Sequence, residues 1–205
     1  HLKFDTYKAT RKGMPDELAA QLPITKQVLD ALGVTRCEKA GYEADDLLGT
    51  ISRRADEHGD TCVVVTGDRD SLQLVGGGTT VMLVSTRMGQ TTYQTYDTAA
   101  FREKYGFDPI RLIDLKALMG DSSDNIPGVA GVGEKTALAL IQDFGSLAGV
   151  YENIDDARIK KGVREKLLRD KEQAGMSRTL AEIVCSAPVN AAPGAYKKDA
   201  PDAPA

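Results

Sequence analysis

Three tight clusters of carboxylates stand at the ends of otherwise apolar segments, far apart in the chain: Glu43, Asp45 and Asp46; then Asp68 and Asp70; then Asp121 and Asp124. Like charges gathered within a few ångströms repel and raise one another's pKa, so a fold that collects them either protonates some or holds a divalent cation between them. A donor set made of oxygen alone points to magnesium or manganese.

The elements that must carry these acids are legible. In GYEADDLLGTISRRADEHG, Leu47, Leu48, Ile51 and Ala55 recur at helical spacing and Gly59 supplies the stop, so Glu43, Asp45 and Asp46 occupy a helix start. A purely local role is available to them there, because acids in a first turn cap free N–H groups and complement the dipole. TCVVVTGDRD reads as a buried strand of a parallel sheet, and Asp68 and Asp70 leave its C-terminal end, where open α/β sheets bind ligands. An ordinary turn would also use Gly67, Asp68 and Asp70. In LIDLKALMGDSSDNIPG a helix ends near Gly120, and Asp121 and Asp124 just beyond it oppose the helix dipole, a placement that a bound cation would compensate. Capping of the next turn by Ser123 or Asp124 is the local alternative.

Directly downstream, IPGVAGVGEKTALALI places Gly128, Gly131 and Gly133 in a turn between two helices, followed by Glu134, Lys135 and Thr136. Glycines let a backbone approach phosphate closely, and N–H groups at a helix start face an anion. Lys135 adds a charged contact to the same strand, although glycines that merely cap two helices would produce a similar pattern.

YKATR (Tyr7 to Arg11), MPDEL, GYEADDLLGT, VVVTGDRDSLQLV, LIDLKALMGDSSDNIPGV and GVGEKTALALI occur in one order. In this the chain resembles the 5′ nucleases, in particular the 5′→3′ exonuclease domain of bacterial DNA polymerase I. The resemblance implies that Glu43, Asp45, Asp46, Asp68, Asp70, Asp121 and Asp124 hold two divalent metals (Mg2+, with Mn2+ possible) around a scissile phosphodiester, the ions roughly 4 Å apart. It implies 5′→3′ exonuclease and flap endonuclease activity on 5′-flap, nicked or branched DNA, with Lys8 and Arg11 neutralising phosphate charge and Tyr7 stacking on a base. It also implies that the helix-hairpin-helix grips duplex through Gly128, Gly131, Gly133, Lys135 and Thr136, and holds K+ on main-chain carbonyls of Val129 to Gly133. Family members open on a strand with a metal-binding Asp that has no counterpart here, so the chain reads as N-terminally truncated; Asp5 lies too close to YKATR to replace it. Two other readings stand beside this one: a catalytically impaired DNA-binding fragment, and a magnesium-dependent phosphatase using Asp68 and Asp70.

The 205 residues, 41% of them apolar, suffice for a buried core, and a net charge of -4 argues against a generally basic nucleic-acid binder without excluding a local basic face of Lys8, Arg11, Lys135, Lys160, Lys161, Arg164 and Lys166. Cys37, Cys62 and Cys185 lack metal spacing and read as reduced, buried thiols, and no segment reads as a membrane span or secretory signal. A cytoplasmic, nucleoid-associated monomer is expected, with a polymerase domain following in the intact protein. The expected architecture is α/β: residues 1–108 form a mostly parallel, PIN-like nuclease core lacking its first strand, with an arch remnant at 1–20. Residues 109–186 form a helical DNA-binding region, and 187–205, rich in Ala and Pro, a linker or disordered end. Helices are expected over Pro23 to Leu32 and from near Asp97, and strands over Thr80 to Val84 and Thr91 to Tyr96.

Overall fold

The computed structural model describes residues 7–9 and 13–197. They form two compact units, one comprising residues 7–9 and 63–183, the other 13–62 and 184–197. Among the described residues, no helix is long and apolar enough to cross a membrane.

In the first unit, strand β1 (Cys62–Thr66) leads a small mixed sheet of order β1-β2-β3, with β2 at Thr79–Arg87 and β3 at Gln90–Tyr96. β2 and β3 pair antiparallel, Val81 opposite Tyr96 and Arg87 opposite Gln90, so this part of the sheet is a hairpin. β1 differs from the buried strand expected. It lies at the sheet edge, and pleating sends alternate side chains to opposite faces, so Val64 is buried while Val63 and Val65 remain 57% and 58% exposed.

Helix α3 (Thr98–Tyr105) starts where Asp97 accepts a hydrogen bond from the Ala100 N–H at 2.8 Å. Helix α4 (Leu112–Met119) is the centre of the unit, buried from Leu112 to Leu118. Its one wholly enclosed acid, Asp114, accepts from Arg178 Nε at 2.9 Å and Arg111 Nη1 at 3.3 Å. Arg178 belongs to α8 (Lys171–Ala181), so this pairing ties α4 to α8. Helices α5 (Glu134–Phe144), α6 (Leu147–Glu152) and α7 (Lys161–Arg169) complete the unit, contributing Ile141, Val150 and Leu167 to its core.

The second unit holds helices α1 (Asp16–Ala31) and α2 (Ala44–His58) and the end of the described chain. α1 begins ahead of the expected Pro23, because Asp16 and Glu17 already supply a favourable first turn behind Pro15; Pro23 then lies inside the helix. Residues 187–197, expected as linker or disordered end, instead carry a 3₁₀ turn at Pro193–Tyr196 and fold back. The Ala187 N–H donates to Thr50 Oγ1 at 2.9 Å, and Ala187 and Ala191 are buried. Small side chains permit that close approach. Residues 198–205 lie outside the described residues. The three cysteines are half-buried and form no disulfide.

Candidate functional site

β1 delivers the chain to Gly67, and Asp68 caps the following 3₁₀ helix (Arg69–Leu74) by accepting from the Asp70 N–H at 2.9 Å. That cap turns the Asp70 side chain toward the end of α4. There the Lys116 ammonium donates to Asp70 Oδ1 and, at 2.6 Å, to Asp121 Oδ2. The three side chains are 11%, 20% and 18% exposed, so the cluster is screened from water but not sealed. Burial pushes the Asp70 carboxyl above the ordinary carboxylate value, outweighing Lys116, and the nearby charges of Asp68 and Asp121 act in the same direction. Burial opposes the Lys116 charge, yet Asp70 and Asp121 together hold its ammonium above the ordinary lysine value. At Asp121, burial is overcome by hydrogen bonds from Lys116 and Ser123, which hold the carboxyl at about 2.

A lowered carboxyl stabilises the folded state above its unfolded value, here 3.8, and that contribution is lost as pH falls toward about 2. Asp121→Asn removes it. Urea midpoints measured between pH 5 and pH 2 are therefore expected to fall less steeply in the variant than in the wild type; an equal or steeper fall contradicts the assignment.

The loop carrying Asp121 and Asp124 is closed on itself. Asp121 and Ile126 exchange two backbone hydrogen bonds of 2.8 Å, and Ser123 donates to Asp121 Oδ1 through its N–H at 2.8 Å and its hydroxyl at 2.6 Å. Asn125 takes the left-handed conformation at φ 56°, which an Asn tolerates. Asp124 is buried; its carbonyl accepts from the Lys8 N–H at 2.9 Å and its carboxylate lies 3.8 Å from Lys8 Nζ. Lys8 Nζ also stands 4.9 Å from the centre of the Tyr7 ring, and Tyr7 packs on the buried cluster of Ile113, Ile126 and Ala181. Arg11 lies outside the described residues.

Glu43, Asp45 and Asp46 belong to the other compact unit, at the start of α2 as expected. Both Asp46 oxygens accept backbone N–H groups: Glu43 at 3.0 Å, which is the local capping role, and the distant Val184 at 2.9 Å. Among the described residues, no group of three or more His, Cys, Asp or Glu side chains is arranged to hold a metal ion. The acids brought to one point are Asp70 and Asp121, with Asp68 beside them. Their chemistry nevertheless fits a hard cation: two carboxylate oxygens already share one positive charge. Magnesium typically takes one or two carboxylates and completes its shell with water and phosphate oxygens.

The glycine turn follows. Gly128 and Gly131 are left-handed, at φ 61° and 77°, and Gly133 is the N-cap of α5, which presents exposed Lys135 and half-exposed Thr136 in its first turn. The turn's carbonyls face α7 and α8: Gln173 Nε2 donates to Gly128 O at 2.6 Å, Arg169 Nη2 to Ala130 O at 3.2 Å, and Lys166 Nζ to Gly131 O at 2.9 Å. Asp170 accepts from the Ala130 N–H at 2.9 Å. Sequence reasoning missed Lys116, Arg169, Asp170 and Gln173 at these positions, and it read Lys166 only as part of a basic face. Lys116 alone left a trace, as a charge in the middle of the apolar run LIDLKALM.

Residues 1–106 match the family model described as 5′-3′ exonuclease, N-terminal resolvase-like domain, and residues 107–204 match 5′-3′ exonuclease, C-terminal SAM fold. DNA polymerase I of Bacillus subtilis strain 168 is 46% identical over 189 residues, 92% of this chain and 21% of that protein. DNA polymerase I of Caldicellulosiruptor bescii is 43% identical over 188 residues, 92% of this chain and 22% of that protein. The chain thus spans about a fifth of these relatives' length. Among solved structures, T5 5′-exonuclease with bound zinc aligns at TM-score 0.68 and 24% identity, covering 89% of this chain and 69% of that one. The catalytic core of Rad2 with DNA substrate aligns at TM-score 0.64 and 18% identity, covering 98% and 66%. The two matched models together run almost the whole length of the chain, and by them it belongs to the 5′→3′ exonuclease family.

Proposed function

We propose that this chain hydrolyses phosphodiesters at 5′ ends and flaps of branched DNA, using divalent metal. The observation that carries the proposal is the convergence of Asp70 and Asp121 on a single positive charge, at the C-terminal end of β1 and a few residues ahead of the glycine turn. Relatives support it: T5 5′-exonuclease has been solved with divalent metal ions, and a T5 flap endonuclease with DNA and metal ions.

In this reading Asp70 and Asp121 would be the first carboxylates to hold Mg2+ or Mn2+, with Asp68 and Asp124 as further ligands, and Glu43, Asp45 and Asp46 are proposed as ligands on the family resemblance alone. When bound, the metals supply an activated water and offset charge on the phosphate. Ser123 fixes the rotation of Asp121 by two hydrogen bonds, which keeps Oδ2 turned to the cation position. Lys8 and Arg11 serve the phosphate, and Tyr7, packed on the core, anchors Lys8. The α5 N-terminus, with Gly128, Gly131, Gly133, Lys135 and Thr136, binds the duplex backbone and reads no base. Main-chain carbonyls of Val129 to Gly133 would hold a potassium ion in exchange for the Arg169 and Lys166 groups from which Ala130 O and Gly131 O accept. The protein works as a cytoplasmic, nucleoid-associated monomer, joined to a polymerase domain as in its relatives.

Incubation of a labelled 5′-flap duplex with Mg2+ or Mn2+ is expected to yield short 5′ products, none in chelator, with binding retained in Ca2+. Binding without cutting in either metal replaces this reading with that of a DNA-binding module. Hydrolysis of a simple phosphate monoester without DNA affinity replaces it with that of a phosphatase. Binding should weaken steeply with salt, and Lys135→Ala should reduce the slope of log affinity against log salt by about one, equally on all sequences. A loss confined to particular bases contradicts a backbone contact.

A further inference from the structure

We propose that the Lys116 ammonium is a built-in counter-ion at the cation position between Asp70 and Asp121, and that it must withdraw for a divalent metal to bind. This rests on the reading of Asp70 and Asp121 as metal ligands.

Lys116 Nζ is within hydrogen-bond reach of one oxygen from each acid, so both oxygens already lie at the spacing a single cation can bridge. The lysine is carried on α4, whose flanking residues Leu115 and Ala117 are buried, so its root is fixed and only the end of its stem can move. The Lys116 side chain is 11% exposed, so it is not fully enclosed.

A plain structural strut would explain the contact less well. A partly buried ion pair adds little net stability against an apolar replacement. This one sits at the carboxyl end of a strand, where α/β sheets bind ligands, and not inside the apolar core. An ammonium also solves a problem particular to a metal site. Without metal, Asp68, Asp70 and Asp121 would crowd like charges at the end of α4, where the dipole disfavours them. The lysine removes that repulsion until a stronger cation arrives. The consequence is a metal affinity lower than the carboxylates alone would give, and a site that tolerates loss of its metal.

The test is Mn2+ binding to the full chain by titration calorimetry, with wild type, Lys116→Met, Lys116→Arg and Asp121→Asn. Lys116→Met is expected to tighten binding at least tenfold, Lys116→Arg to leave it within threefold, and Asp121→Asn to remove it. Asp121-dependent binding with equal or weaker affinity in Lys116→Met overturns the counter-ion while leaving the acids as ligands. No Asp121-dependent binding in either protein overturns both readings. Should Lys116→Met fail to fold, amine labelling of Lys116 in the wild type decides, read by peptide mass spectrometry. Saturating Mn2+ is expected to raise its labelling rate at least fivefold, and unchanged protection at full occupancy overturns the proposal.

Discussion

Asp121→Asn is expected to slow flap cleavage by about a thousandfold or more, the scale seen when a group stabilising developing charge is removed, while flap affinity in Ca2+ changes less than threefold. The two halves of this expectation come from different parts of the structure. Asp121 Oδ2 faces the Lys116 ammonium, so the position needs an acceptor of full negative charge. Asn keeps the shape and can still accept from Ser123 through its one carbonyl oxygen, but then presents an NH2 to the cation position. It thus replaces an attraction with a repulsion without emptying any space. The glycine turn is fixed by other groups, Ser177 Oγ accepting from the Gly128 N–H and Asp170 from the Ala130 N–H, rather than by Asp121. Binding is therefore expected to survive. Single-turnover rates at saturating enzyme separate the two effects, and an undiminished rate removes Asp121 from the site.

Asp70 and Asp121 were legible because their placement is a local fact: one follows an apolar strand, the other a helix end where acid is disfavoured. Lys116 was not, because its hydrogen bond to Asp70 spans 46 positions and a lysine in an apolar helix usually extends its amine to water. Asp46 shows the converse. Taken alone its pattern favoured a cap, and the structure adds what no local pattern encodes, a bond from the Val184 N–H, 138 residues away. β1 was read as fully buried from its run of valines, yet burial depends on what lies on each face of the sheet, which composition does not encode. The segment from Ala187 misled for a related reason: alanines look like a linker by composition, while their small size allows close packing on Thr50.

Gly128→Ala is expected to cost about 3–5 kcal/mol, or to prevent folding, the range of substitutions that force backbone apart. The residue is left-handed at φ 61°, which alone costs about 1–2 kcal/mol for any other side chain. A Cβ added there would stand 2.2 Å from Gly120 N and 2.7 Å from Gly120 Cα, so two backbone segments must separate and no rotamer can relieve the overlap. Gly133→Ala is the control: nothing lies within 4 Å of its Cβ and its φ is -91°, so stability should hold within about 0.5 kcal/mol. Gly131→Ala falls between, since its Cβ meets only the flexible tip of Lys166, at 2.8 Å. Urea melts of the three variants give the order. The close pass of Gly120 and Gly128 also brackets the loop that carries Asp121 and Asp124, and the same glycine opens the turn read as the duplex grip. In any fraction that still folds, Gly128→Ala should therefore weaken metal and DNA binding together, whereas Asp121→Asn and Lys135→Ala each weaken one. Independent loss of the two functions in Gly128→Ala would mean that this crossing does not couple them.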